Sequence, residues 1–238
     1  MQSTRQPERT DVAIVGAGPT GLVAAVRLAQ LGISYILLDA RPGPTLTSNA
    51  ALVHASTIEL LAELEVGDRL VDRGQVMRRI VMVDRGRPLI SIQLDDLPSS
   101  YPFALGVPQS TTEELLARRL DELGGSVRRE WCVEALAQSR DEVAVTGFDH
   151  SGPEPVPFEL RARFVIGADG SHSVVRSAIG LDFPGDTYAR HVRPRGHRTG
   201  RSQRRRRRGH DQPLASGGHG AGSTARRQPA DGRNGRRR

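Results

Sequence analysis

There is no lysine in these 238 residues; all 34 basic side chains are arginine. Nothing in surface chemistry requires that, because lysine serves equally well on a solvated face. Arginine-only usage is the mark of a GC-rich coding sequence. Cysteine is nearly absent as well. The lone Cys132 excludes an intramolecular disulfide and any cysteine-cluster metal site, and it reads as a small, half-buried apolar residue. No apolar run approaches the roughly 20 residues that cross a bilayer. The polar stretch Met1 to Thr10 lacks the apolar centre of a secretory signal. No membrane partner is therefore expected, and the cytoplasm is the expected compartment. Acids are scarce in one place only. Residues 190–238 hold 16 Arg against Asp211 and Asp231, a formal charge of +14, whereas the whole chain is +7 and residues 1–189 therefore carry −7. The high isoelectric point belongs to that C-terminal stretch, and the body is mildly acidic, as soluble enzymes often are.

Two glycine-containing turns stand out from this background. The first, Gly16-Ala17-Gly18-Pro19-Thr20-Gly21, follows the apolar run Val12 to Val15; the second, Gly167-Ala168-Asp169-Gly170, follows Phe164, Val165 and Ile166. A tight strand-to-helix turn presents backbone N–H groups and the positive end of a helix dipole, which suits a pyrophosphate. In the first turn, Gly16 makes the bend, Gly18 lets the backbone approach a phosphate, and Gly21 lets the helix pack closely on the strand. Asp39 ends the next apolar run, with seventeen residues between it and Gly21. A carboxylate there is placed to accept hydrogen bonds from a ribose 2′-hydroxyl, and it disfavours a 2′-phosphate. The first site thus suits FAD or NAD rather than NADP.

The pattern predicts a strand over 11–15, a helix over 19–31 closed by Gly32, and a strand over 33–38. This βαβ start implies a parallel sheet and an α/β fold of Rossmann type. Short helices over 56–64 and 66–71 are broken by Gly67. A small inserted β region lies near 75–110, with a hairpin around Asp84-Arg85-Gly86. Ser110 or Thr111 caps a helix that runs to about Leu123, with Glu113 and Glu114 available for a capping box, and Gly124-Gly125 stops it. Strands are expected over 126–131, 142–146 and 158–166, then a helical turn or two over 174–179. Residues 1–10 and 190–238 are expected to be disordered. In the last 49 positions only Val192 and Leu214 are large apolar residues, too few to offset the entropy of ordering.

The second turn, read as Phe164 through Arg176, resembles the conserved Asp-Gly motif of the FAD-dependent monooxygenases that hydroxylate aromatic compounds, the p-hydroxybenzoate hydroxylase-like family. The resemblance covers about residues 10–189. It implies an FAD-binding domain, with Asp169 and Gly170 beside the FAD ribose and Arg176 as the motif's terminal Arg. It also implies cofactor contacts by Arg41, by Gln109 ahead of a helix over 111–123, and by Val133 near the adenine. These join Gly16, Gly18, Pro19, Thr20, Gly21 and Asp39. The activity implied is hydroxylation of a phenolic or polyketide-like ring with NAD(P)H and O2. No catalytic acid or base can be named. Two departures accompany the resemblance. Asn49 stands where the family usually has an Arg, and the family's third motif, a Gly-Asp followed by small residues and His near residue 290, has no counterpart.

A simple NAD-dependent dehydrogenase fits Gly16 to Asp39 alone, but the second motif and Gln109 argue against it. The Arg-rich stretch could bind nucleic acid non-specifically and in a salt-dependent way. It carries no aromatic residue on which bases could stack, so no specific nucleic-acid partner is expected. A fragment retaining flavin or nucleic-acid binding without catalysis is the remaining alternative. Apolar periodicity is lost where the resemblance ends, which points to a frame-shifted translation from about residue 190. Resequencing codons 180–240 and translating all three frames is then expected to reveal a frame that continues with apolar strands and a Gly-Asp-small-small-His motif. Absence of such a frame would make the Arg-rich stretch genuine.

Overall fold

The computed structural model describes residues 7–45, 52–85 and 87–185. The expectations for residues 1–6, Asn49, Gly86 and the stretch 190–238 lie outside these.

The centre of the molecule is β1 (Glu8–Val15), whose last four residues are buried. Its alternate side chains enter two different cores. Val12 and Ile14 join one apolar cluster, and Ala13 and Val15 join the other on the opposite face of the sheet. A strand covered on both faces reads as an unbroken apolar run, which is why this one was legible. Helix α1 (Pro19–Gln30) follows, with Pro19 at its first turn, and Leu22, Ala25 and Val26 completely buried. Full burial of each of its larger apolar side chains contributes about 1.5–3 kcal/mol. Gly32, at φ +67°, then turns the chain into β2 (Tyr35–Asp39).

Next come β3 (Leu52–Val53), α2 (Ala55–Glu63), α3 (Gly67–Arg73), β4 (Gln75–Met77), β5 (Arg79–Asp84), β6 (Arg87–Gln93), β7 (Ala104–Gly106) and α4 (Gln109–Glu122). The chain finishes its described part with β8 (Val127–Arg129), β9 (Trp131–Gln138), β10 (Val143–Asp149), β11 (Val156–Gly167) and α5 (Val174–Ala178). The main sheet has the order β8-β2-β1-β11-β10-β9. Its first four strands are parallel to one another, and β10 and β9 continue it antiparallel. Strands β3, β7 and β4 form a three-stranded sheet, and β5 pairs only with β6. The expected α/β fold with a mainly parallel sheet is therefore what the chain adopts.

Several boundaries differ from the expectation, each for a physical reason. Strand β1 begins at Glu8, not Asp11, because β11 is long enough to pair with it from Glu8↔Leu160 onward and Arg128 grips the Glu8 carboxylate with two 2.6 Å bonds. Residues 8–10 thus belong to the sheet. The strand expected over 126–131 is cut by Glu130 at φ +63°, a left-handed conformation that is uncommon away from glycine. Val127–Arg129 pairs with β2, and the chain then crosses to the far edge as β9, an element that spacing did not reveal. The break between α2 and α3 lies at Glu65, φ +62°, rather than at Gly67. Gly67 is instead the first residue of α3 and packs on Ala62; a Cβ added there would sit 2.8 Å from both the Ala62 Cβ and N. Helix α4 starts at Gln109 with Pro108 as its N-cap and no side-chain cap, so Ser110, Thr111 and Glu113 do not form a capping box.

Alanine favours a helix by about 1 kcal/mol over glycine, yet Gly67→Ala is expected to destabilise the protein by about 1–3 kcal/mol through overpacking. Urea unfolding checks this, and a gain in stability would show that Ala62 moves aside.

Candidate functional site

Parallel register brings the carboxyl ends of three strands together. Val15 stands opposite Leu38 on one side and Gly167 on the other. The ladder runs one step further: the Gly16 N–H donates to the Leu38 carbonyl and the Ala168 N–H to the Val15 carbonyl, both at 2.7 Å. The two glycine turns, some 150 residues apart, are therefore neighbours. Gly16 has φ +100°, and a Cβ on it would overlap the Ala168 carbonyl oxygen. Only glycine satisfies both conditions. Gly21 packs against the same place, since its Cβ would overlap the Gly16 carbonyl oxygen.

Above these strand ends lies a cleft of about 540 Å³. Gly16, Gly18, Pro19, Thr20, Asp39, Arg41, Gln109, Val133, Asp169 and Gly170 all line it. Gly21, buried beneath, does not. Gly18 differs from Gly16 in kind: its backbone is ordinary and extended, and a Cβ on it would meet nothing within 4 Å. The packing of the described residues therefore does not call for glycine there. Helix α1 has no acidic residue in its first turn and no side-chain cap, so its N-terminal N–H groups and positive dipole end face the cleft without a neutralising partner from the first turn.

Asp39, 4% exposed, is the most tightly held group of the site. Its Oδ2 accepts from the Ala17 N–H at 2.6 Å and from Arg41 Nη2 at 3.0 Å; its Oδ1 accepts from the Arg41 backbone N–H at 2.8 Å and from Arg41 Nε at 3.1 Å. Arg129, opposite it on β8, brings Nη1 to 3.7 Å. Burial alone would raise the carboxyl's pKa, but the hydrogen bonds from Arg41 and Ala17 outweigh it, and the group lies below its ordinary value of 3.8.

Asp169 is placed differently. Its Oδ1 accepts from the Ser173 hydroxyl at 2.6 Å, and its Oδ2 from the N–H groups of Val174 and Val175 at 2.7 and 3.2 Å. It shapes the second turn by capping α5, and Arg176 closes that turn by donating to the Ser171 and Gly170 carbonyls at 2.7 and 3.4 Å. Gln109, expected ahead of a helix, is the first residue of α4 and donates from Nε2 to Glu113 Oε1 at 3.0 Å.

Sequence reasoning passed over Glu113, Trp131, Cys132 and His172, all of which line the cleft. A fully buried carboxylate on an amphipathic helix was the one available signal, since Glu113 falls on the same face as Leu116 and Leu120. A second cleft of about 380 Å³ adjoins the first through Pro19, Thr20 and Gln109, and is walled mostly by apolar side chains such as Val23, Leu61, Val107 and Leu116. Among the described residues there is no metal-ligand cluster and no helix long and apolar enough to cross a membrane.

Glycine turns meeting at the carboxyl ends of a doubly flanked parallel sheet define a dinucleotide-binding α/β domain. Residues 9–193 match the FAD binding domain family, and the chain belongs to that family. It is 40% identical over 177 residues to 12-dehydrotetracycline 5-monooxygenase/anhydrotetracycline 6-monooxygenase of Streptomyces rimosus, covering 74% of this chain and 34% of that protein. It is 34% identical over 176 residues to a rifampicin monooxygenase of Streptomyces venezuelae, covering 74% and 35%. The crystal structure of p-nitrophenol 4-monooxygenase from Pseudomonas putida superposes with a TM-score of 0.70 at 27% identity, over 76% of this chain and 46% of that one. The chain thus spans about a third of the length of the curated relatives it matches. The family match separates FAD from NAD and sets aside the simple dehydrogenase.

Asp39→Asn is expected to cost about 2 kcal/mol at neutral pH, from lost charge-assisted hydrogen bonds. A depressed folded-state pKa stabilises above the unfolded value and is lost below it. The gap between wild type and variant should therefore close as pH falls below 3.8. Urea unfolding at stepped pH measures it, and a gap independent of pH would refute the assignment of charge to this carboxyl.

Proposed function

We propose that this chain is the FAD-binding portion of a flavin-dependent monooxygenase that hydroxylates an aromatic, phenolic or polyketide-like substrate, with NAD(P)H and O2 as co-substrates, in the cytoplasm. The open space at Gly18 carries the reading, because a glycine that the packing of the described residues does not need is explained by a phosphate against its backbone. The residues present suit the cofactor. Gly18 and Thr20, at the N-cap and in the first turn of α1, offer backbone N–H donors to a pyrophosphate, with no competing acid in that turn. Asp39, ionised and fixed by Arg41, offers its carboxylate to a ribose hydroxyl. Val133 supplies an apolar wall for an adenine. Asp169 and Gly170 bring the second turn to the ribose and diphosphate, and Gln109 stands where the two clefts join.

FAD supplies the redox and oxygen-activating chemistry, which amino-acid side chains lack. This chain's residues bind it, orient it and exclude water around its phosphates. The relatives named above act, by their names, on 12-dehydrotetracycline and anhydrotetracycline, rifampicin and p-nitrophenol, and the aromatic substrate class is inferred from them.

Gly18→Asp tests the reading. Aspartate is a favourable N-cap and a Cβ there meets nothing, so stability should stay within about 0.5 kcal/mol. FAD affinity should fall by about 100-fold or more, since the new carboxylate faces the pyrophosphate. Flavin fluorescence titration and urea unfolding on the same preparation decide it. Unchanged FAD affinity, or an absence of flavin binding by the wild type, would overturn the proposal.

A further inference from the structure

Glu113 is completely buried, bears a carboxyl group, and belongs to none of the glycine turns. Burying an ionised carboxylate is costly unless it is fully engaged, so its partners indicate what it is for. Three converge on it. Gln109, one turn earlier on the same helix, donates from its side-chain amide to Oε1 at 3.0 Å. The Thr45 backbone N–H, in the segment that follows β2, donates to Oε2 at 2.8 Å. Arg41 brings Nη1 to 3.9 Å from that same oxygen. Arg41 is in turn bound to Asp39, so charges alternate along Glu113, Arg41, Asp39 and Arg129.

Helix α4 and the β2 loop meet at this one side chain. A hydrophobic residue would fill the volume but hold neither. The hydrogen bond to Gln109 also fixes its amide, with Nε2 committed to Glu113. We propose that Glu113 is a positioning residue for the cofactor site, fixing the side-chain amide of Gln109 and holding the Arg41 loop over the same cleft. Glu113 acts through those two side chains and need not touch the cofactor itself. The assignment rests on the FAD reading above.

The decisive experiment is a double-mutant cycle on the full chain, read by FAD dissociation constant and by the absorbance of the bound flavin. Gln109→Ala removes the amide. Glu113→Asp keeps the charge but withdraws it by one methylene from Gln109. Each single variant is expected to bind FAD about tenfold more weakly, the loss of one well-placed hydrogen bond. In the Gln109→Ala background, Glu113→Asp should add less than about threefold, because there is no longer an amide to fix. Its shift of the bound-flavin spectrum should likewise vanish there. Additive losses with wild-type flavin binding intact would sink this assignment alone. Failure of both Glu113→Asp and Glu113→Gln to fold would make the carboxylate a structural strut and overturn it. No flavin binding by the wild type would remove the FAD reading and this inference together.

Discussion

The site depends on the pairing of β1 with two parallel neighbours in matched register. Val15 faces Leu38 and Gly167, and the next backbone N–H on each side closes a 2.7 Å bond across the strand ends. Hydrogen bonds in a parallel ladder are evenly spaced, so once Val12 pairs with Phe164 the second glycine turn has no freedom to sit elsewhere. A one-residue slip would exchange the two apolar faces of β1 and also carry Ala168 away from Gly16. Core packing and site assembly are thereby the same constraint.

Electrostatics is layered on that geometry. The cleft is built around two buried carboxylates, Asp39 and Glu113, bridged by the half-exposed Arg41. Each is held by at least one backbone N–H as well, from Ala17 and Arg41 for the first and from Thr45 for the second. Full engagement is what makes buried ions tolerable. It also places the Asp39 carboxylate beside the turn that leads into α1, so acceptor and helix N-terminus line one cleft.

Much of the fold was legible because its signals are local. Val12 to Val15, the Pro19 helix start, the Gly32 turn and the apolar run ending in Asp39 each combine a period with a punctuating residue, and the βαβ start appears where expected. The less local elements were not. Strand β9 was hidden because Glu130 adopts a left-handed conformation that residue type does not announce, and the chain leaves β8 there for the sheet's far edge. Strands β3, β4 and β7 are too short to show a period, and they exist because they pair with each other. Glu113 looked like a capping residue because sequence spacing cannot tell a helix's first turn from its second, and α4 begins two residues earlier than Thr111.

The sequence by itself determined the class of fold, the two glycine turns and the acid at the end of β2, because strand-to-helix turns and residue periods are properties of a few adjacent residues. Only the tertiary structure decided that the turns touch, that Gly16 is required by a backbone from residue 168 while Gly18 is required by none of the described residues, and that Asp39, Arg41 and Glu113 form one ion-pair network. These are contacts between residues tens to more than a hundred positions apart. They follow from which strands pair, and pairing is settled by the burial of the whole sheet and not by any segment of it.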